Sequence, residues 1–397
     1  MATYSFRDAR ECVIARVRSG RRMPETEEIG FAEAAGRVLA EAAQADRDYP
    51  SADRSIRDGF AVRAEGFTGS ARVSGEVRAG EAFAGTVAPG EAVEIMTGAP
   101  MPAGADAVIM VEHVRREDGR IVTDRAVKPG NFVNPRGSEA KAGATLVPAG
   151  RRLGFADIAL LATIGRESVR VFRQPRVAIL ATGDEIVEVH ETPAAFQIRN
   201  SNSYSLAVQA RRAGAAPEIL PVARDNYDST RALIERGLQS DLLLISGGVS
   251  AGKYDIVEKV LADLGAEFFF DRVLIQPGQP LVFGRARESW FFGLPGNPAS
   301  TMVTFEIFAR AAVELLGGQE DPMLPLLESR LACDFRHKPG LTRFLPASLS
   351  PGGEAVTPIP WQGSSDVPAL ARANAFLVAD PDRPEYKAGD AIKVVLK

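Results

Sequence analysis

Residues 241–259 read DLLLISGGVSAGKYDIVEK: an apolar run, a glycine pair, then an acidic, helix-like stretch. The spacing from Gly247 through Gly252 to Lys253 fits the start of a G-x-x-x-x-G-K nucleotide-phosphate loop. Such a loop needs Ser or Thr next, because a small hydroxyl ligates Mg2+, and here the residue is Tyr254. Two readings stand ahead of that one. In the first, the glycines turn backbone N–H groups toward a phosphate or other oxyanion, and the next helix adds its positive end. In the second, the turn needs glycine only for its φ angles.

Other polar residues follow apolar runs in the same way. Asp184 and Glu185 end RVAILATGDE, Asp225 and Asp228 follow EILPVAR, and Asp255 comes just after the glycine loop. Asn297 and Ser300 lie in WFFGLPGNPAS. Each alone is an ordinary helix cap. Together they describe a pocket with carboxylates beside anion-binding turns, which suits a phosphorylated ligand held with Mg2+, a hard cation that takes oxygen ligands. Upstream, Asp58 in SIRDGFAVR and Thr97 in IMTGAPMPAG lie among turn residues, where plain loop chemistry is an equal reading.

The elements that must position these groups can be read from periodicity. From residue 175 apolar runs alternate with amphipathic stretches: RVAILA, SYSLAVQARRAG, EILPVARD, YDSTRALIERG, DLLLISGG, YDIVEKVLADLG, LVFG, WFFG and PASTMVTFEIFARAAVELLGG. That alternation predicts a doubly wound α/β domain, whose ligands bind at the carboxyl ends of parallel strands. Residues 46–137 are rich in Gly, Pro and short β-like runs, with REDGR as a hairpin-type turn. They predict a small all-β domain inserted between two parts of a helical region, 1–45 and 138–173. Within that region, residues 5–17 (Ser5 as cap; Phe6, Ala9, Val13 and Val17 on one face), FAEAAGRVLAEAA and FADIALLATIG are the expected helices. The α/β domain is expected over 174–319, and a compact β-barrel or sandwich over 320–397.

Composition narrows the function classes. Of the 397 residues, 45% are hydrophobic and 25% charged, and the net charge is -4 with no basic block, which argues against nucleic acid. No apolar stretch is long enough to span a bilayer and the start shows no secretory signal. Two cysteines, Cys12 and Cys333, make neither a metal spacing nor a disulfide framework and suit a reducing, cytoplasmic setting. The three histidines are isolated singles.

The segments SIRDGFAV, IMTGAPMPAGADAVIMVE, VKPG, RVAILATGDEI, SGGVSAGKYD, PGQPLVFG and GLPGNPAS occur in the order seen in molybdopterin molybdenumtransferases, the insertase family that includes the gephyrin E domain. The chain resembles that family from about residue 5 to its end. The resemblance implies a helical region with an inserted β domain, a molybdopterin-binding α/β domain and a C-terminal β-barrel. It also implies a homodimer with a cleft between the α/β domain of one subunit and the β domain of the other. The implied reaction inserts molybdate into adenylylated molybdopterin with release of AMP and needs Mg2+. By matching motifs, Asp58, Thr97, Glu185, Asp225 and Asp255 correspond to cleft residues, with Glu185 and Asp255 as the Mg2+ ligands. Ser246, Gly247, Gly248, Ser250 and Gly252, with Pro295, Gly296, Asn297, Pro298 and Ser300, correspond to molybdopterin-binding turns. Gln276, Gln279, Pro280, Arg343 and Ser364 correspond to the oxyanion site.

The chain departs from the family there. The family usually reads KPGKP where this chain has QPGQP, so Gln276 and Gln279 replace two lysines. The family's GR-x-x-F-x-R becomes GLTRFLP, with Leu341 and Pro346 in place of two arginines. Arg343 or Arg272 could compensate. Beside an active insertase, the residues admit a non-catalytic molybdopterin-binding paralogue or scaffold, or a tungstate-using insertase. A nucleotide phosphohydrolase or amidase with a similar α/β domain would have no need of DGFAV and MTGAP.

Overall fold

The computed structural model describes residues 3–248 and 256–397. The chain divides into two compact units, one of residues up to 40, 150–154 and 168–397, the other of residues 41–149 and 155–167.

The first unit is built on a six-stranded sheet. Its order is Ala216–Ile219, Arg176–Ala181, Leu242–Ser246, Ser289–Leu294, Pro280–Ala286, Glu267–Arg272. The first four strands run parallel, Pro280–Ala286 runs against them, and Glu267–Arg272 pairs antiparallel with Pro280–Ala286. Side chains alternate across a strand, so Leu242 and Leu244 join a core with Leu206 and Ala210 of the helix Ser201–Arg212. Leu243 and Ile245 face the other way, against Ile234, Val257 and Val260 from the helices Tyr227–Gly237 and Ile256–Asp263. Helices on both faces explain why the strand is apolar at every position from Leu242 to Ile245.

The helix Phe6–Gly20 packs on the same unit. Ser5 accepts the Asp8 N–H at its start, and Ala9, Val13 and Val17 are fully buried. Five further strands, Leu326–Leu331, Thr342–Leu349, Ala355–Pro358, Ala375–Ala379 and Ala391–Leu396, pair in a closed circuit and form a barrel. A short strand, Ile275–Gln276, pairs with the barrel strand Thr342–Leu349 and places Gln276 opposite Arg343. The α/β fold with a C-terminal barrel agrees with the expectation; the sheet is mixed rather than wholly parallel. The helix Val367–Arg372, capped by Asp366, interrupts a region expected to be β.

The second unit holds a six-stranded sheet in the order Ala107–Met110, Gly59–Val62, Glu91–Ile95, Ser70–Val77, Arg120–Val122, Arg115–Glu117. Asp118 and Gly119, both at positive φ, make the hairpin turn foreseen in REDGR. At Gly59 a Cβ would run into the Ile109 carbonyl, so only glycine lets these strands approach where Asp58 enters the sheet.

Two helices are corrected. FAEAAGRVLAEAA forms only a short turn of 3-10 helix, Phe31–Glu33. Gly36 then takes φ +80, and Val38 and Leu39 pair with Arg152 and Val171, so partners elsewhere in the chain override the helical periodicity. Within 138–173 the helix is confined to Phe155–Thr163, flanked by the strands Thr145–Val147 and Ser168–Phe172. Among the described residues no helix is long and apolar enough to cross a membrane.

Candidate functional site

The carboxyl ends of the parallel strands frame a cavity of about 680 Å³ lined by Thr182, Gly183, Glu185, Asp225, Gly247, Gly248, Ile256, Pro280, Pro295, Gly296 and Asn297. Gly247 and Gly248 have φ +94 and +64, and side chains there would press on Thr182. Gly183 also needs to be glycine. It sits at φ +144, and the Glu185 carboxylate lies where its Cβ would project. Asp184 and Asp225 are locked reciprocally: Asp225 Oδ2 accepts the Asp184 N–H at 3.3 Å, and Asp184 Oδ1 accepts the Asp225 N–H at 3.2 Å. These bonds hold Asp225 beside the turn that presents Glu185. Ser246 is buried behind the turn, and Pro298 fills the first turn of the helix Pro298–Thr304, where its missing N–H costs nothing. Ser250, Gly252 and Asp255 lie outside the described residues.

A second cavity, about 320 Å³, shares Pro280, Pro295 and Asn297 with the first. Gln276, Gln279, Ser300, Leu341, Trp361 and Ser364 also line it. The Ser364 carbonyl accepts the Ala299 N–H at 2.9 Å, which fixes the barrel-side loop on the helix start. None of the described lining residues carries an ionised side chain. Arg343 sits opposite Gln276 in the strand pairing, but it does not line the cavity, and its guanidinium donates to the Lys338 carbonyl at 3.2 Å. Burial pushes its pKa down. Arg272 does not line the cavity either.

Asp58 and Thr97 belong to the second unit. The Thr97 N–H donates to Asp58 Oδ1 at 2.6 Å. That bond, then one from the Thr97 hydroxyl, holds the Asp58 pKa below the usual carboxylate range. A carboxylate depressed on folding adds stability above its unfolded pKa, about 3.9, and loses it as pH falls through the folded value. Asp58→Asn should therefore melt below wild type at pH 7, with the gap closing below about pH 4. Paired melts across pH check this, and a gap that stays constant down to pH 2.5 would count against the bond.

Three further contributors were not among the residues expected from the sequence. Thr182 precedes the acidic pair and lines the cavity. The Asn202 amide donates to Ser246 Oγ at 2.8 Å and the Gly296 carbonyl at 2.7 Å, tying the two glycine-bearing turns together. Arg224 donates to the Asp184 and Ile186 carbonyls at 3.3 Å each and so orders the turn that presents Glu185. Only the place of Thr182 after an apolar run could have marked it.

The Glu185 and Asp225 carboxylates suit Mg2+, which takes one or two carboxylates and completes its shell with water and substrate phosphate. Among the described residues no group of three or more His, Cys, Asp or Glu forms a metal site by itself.

Comparison with known proteins gives concordant matches along the chain. Residues 4–165 match the MoeA N-terminal region (domain I and II), 178–315 a probable molybdopterin binding domain, and 328–397 the MoeA C-terminal region (domain IV). A Bacillus subtilis protein named molybdopterin molybdenumtransferase is 34% identical, with 96% of this chain and 92% of that protein covered. A Haemophilus influenzae protein of the same name is 34% identical, with 93% of each covered. The solved molybdopterin biosynthesis MoeA protein from Pyrococcus horikoshii is 32% identical, has a TM-score of 0.75, and is matched over 100% of this chain and 99% of that one. With all three regions matched in order and relatives above 30% identity over nearly the whole length, the chain belongs to the MoeA, or molybdopterin molybdenumtransferase, family.

Proposed function

We propose that this protein inserts molybdenum into molybdopterin to form molybdenum cofactor, using adenylylated molybdopterin and molybdate as substrates and releasing AMP. The observation that carries the reading is the adjacency of two cavities that share Pro280, Pro295 and Asn297, one with Glu185 and Asp225 beside the Gly247–Gly248 turn, the other with the neutral hydrogen-bonding groups of Gln276, Gln279, Ser300 and Ser364. The first offers a place for a phosphorylated ligand and the second a place for a tetrahedral oxyanion. Glu185, with Asp255 as the second candidate ligand and Asp225 close by, would hold Mg2+ against the substrate phosphates. The ion would supply neutralisation of charge on the departing AMP. Asp225, fixed by Asp184, orients the groups around the scissile phosphate. Gln276, Gln279 and Ser364 receive molybdate as hydrogen-bond partners.

The test incubates pure protein with adenylylated molybdopterin, Mg2+ and molybdate, and measures AMP and active cofactor. Both products should appear together and depend on Mg2+. Binding of molybdopterin with neither product would support the non-catalytic reading. Tungstate replaces molybdate in a parallel arm.

The proposal includes a cytoplasmic homodimer, in which the Asp58 and Thr97 loops of one subunit serve the α/β pocket of its partner, as in the family resemblance. Sedimentation at micromolar concentration should give twice the chain mass. A monomer alone would remove Asp58 and Thr97 from the site.

A further inference from the structure

Thr182 is 5% exposed, and its Oγ1 has no hydrogen-bond partner among the described residues. A buried polar atom without a partner costs free energy, so such an atom at a cavity wall is one that a bound ligand could satisfy. Its neighbours are accounted for. The Thr182 N–H donates to the Ser246 carbonyl at 3.1 Å, and the Gly247 N–H donates to Leu294. Oγ1 instead lies against the Gly247–Gly248 turn, about where side chains would project if those residues had them: an ideal Cβ would sit 3.2 Å from it at Gly247 and 2.8 Å at Gly248. Two adjacent glycines at positive φ thus let the turn close on the hydroxyl with no side chain of their own pressing on it. Across the cavity mouth, Asn202 fastens Ser246 to Gly296 and so fixes the width between the turns.

We propose that Thr182 is a substrate-contacting residue whose hydroxyl donates a hydrogen bond to a phosphate monoester oxygen seated on the Gly247–Gly248 turn. The turn closes a parallel strand, where backbone N–H groups gather anions. A hydroxyl adds a donor there without charge. This inference rests on the molybdopterin reading above, with the phosphate of molybdopterin as the group bound. Inorganic phosphate offers the same chemistry from another source.

The test uses the full chain as wild type, Thr182→Val and Thr182→Ser. Val keeps the shape and removes the hydroxyl; Ser restores it. Each is titrated with molybdopterin and with molybdopterin whose phosphate has been removed, and each is melted without ligand. In Thr182→Val the dissociation constant for molybdopterin should rise about tenfold, the effect of losing a hydrogen bond to a charged group. Affinity for the dephosphorylated form should not change, and Thr182→Ser should recover most of the loss. The ligand-free melting temperature of Thr182→Val should equal or exceed that of wild type, since an unpartnered hydroxyl is removed. Inorganic phosphate should compete more weakly against Thr182→Val than against wild type only if it uses the same seat. Equal weakening of both molybdopterin forms would overturn the phosphate contact, as would unchanged binding or a lowered melting temperature. If wild type binds neither form, the molybdopterin reading fails with it. If wild type binds and Thr182→Val matches it, only the role of Thr182 is lost.

Discussion

Glu185→Gln should lower AMP release and cofactor formation by about 10²–10³-fold, since a held metal ion contributes several kcal/mol of charge stabilisation and each 1.4 kcal/mol is tenfold, while leaving the fold intact. The substitution keeps side-chain volume and removes only the charge. Glu185 lies against Gly183 and lines the cavity, and no hydrogen bond or ion pair of its carboxylate occurs among the described residues. Its removal therefore unbalances nothing structural. Asp225→Asn is a less clean variant, because Asp225 Oδ2 accepts the Asp184 N–H and the amide can turn its nitrogen toward that donor. If the Glu185 carboxylate holds Mg2+ against substrate phosphate, the variant also needs more Mg2+ for half-maximal rate. A variant with a wild-type melt, wild-type turnover and an unchanged Mg2+ requirement would exclude Glu185 from the chemistry. A lost melt would mean that the carboxylate has a structural role and that the kinetic loss cannot be assigned to the reaction.

What could be read in advance followed the physics of each segment. Leu242–Ser246 was legible because a strand covered on both faces is apolar along its length, as Leu242 to Ile245 are, and its carboxyl end is where such sheets bind ligands. The hairpin at Asp118–Gly119 was legible because its turn needs two residues at positive φ. FAEAAGRVLAEAA misled because its apolar spacing is helical, whereas Val38 and Leu39 find strand partners more than a hundred residues away. Local periodicity carries no record of such a partner. The same limit hid Asn202, which acts through Ser246 and Gly296, and Arg224, whose acceptors are main-chain carbonyls of any residue type. Gln276 and Gln279 could be singled out only as departures from a family pattern. Where Arg343 lies relative to Gln276 became clear from the strand register, which residue counting does not supply.

The double variant Gln276→Lys, Gln279→Lys should lower the molybdate concentration for half-maximal insertion by about tenfold or more. The second cavity is small and shared between the α/β sheet edge and the barrel-side loop at Gly363 and Ser364, and its described lining is uncharged. A divalent oxyanion there meets amides, hydroxyls and the apolar Leu341 and Trp361. Neutral hydrogen bonds are roughly half as strong as charge-assisted ones. An exposed ion pair contributes only about 0–1 kcal/mol, but in a partly closed cavity a hydrogen bond to a charged group is worth roughly 1.5–3 kcal/mol. Each 1.4 kcal/mol is a factor of about ten. Arg343 does not remove the need, because it faces the Lys338 carbonyl and does not line the cavity. The change also alters the response to salt. Wild type, binding through neutral donors, should lose little affinity between low and physiological ionic strength, while the lysine variant should lose more because its added attraction is screened. Molybdate and tungstate titrations at two fixed ionic strengths separate the outcomes. Stronger capture with a steeper salt dependence places the oxyanion at Gln276 and Gln279; an unchanged half-maximal concentration for both anions would place it elsewhere in the protein.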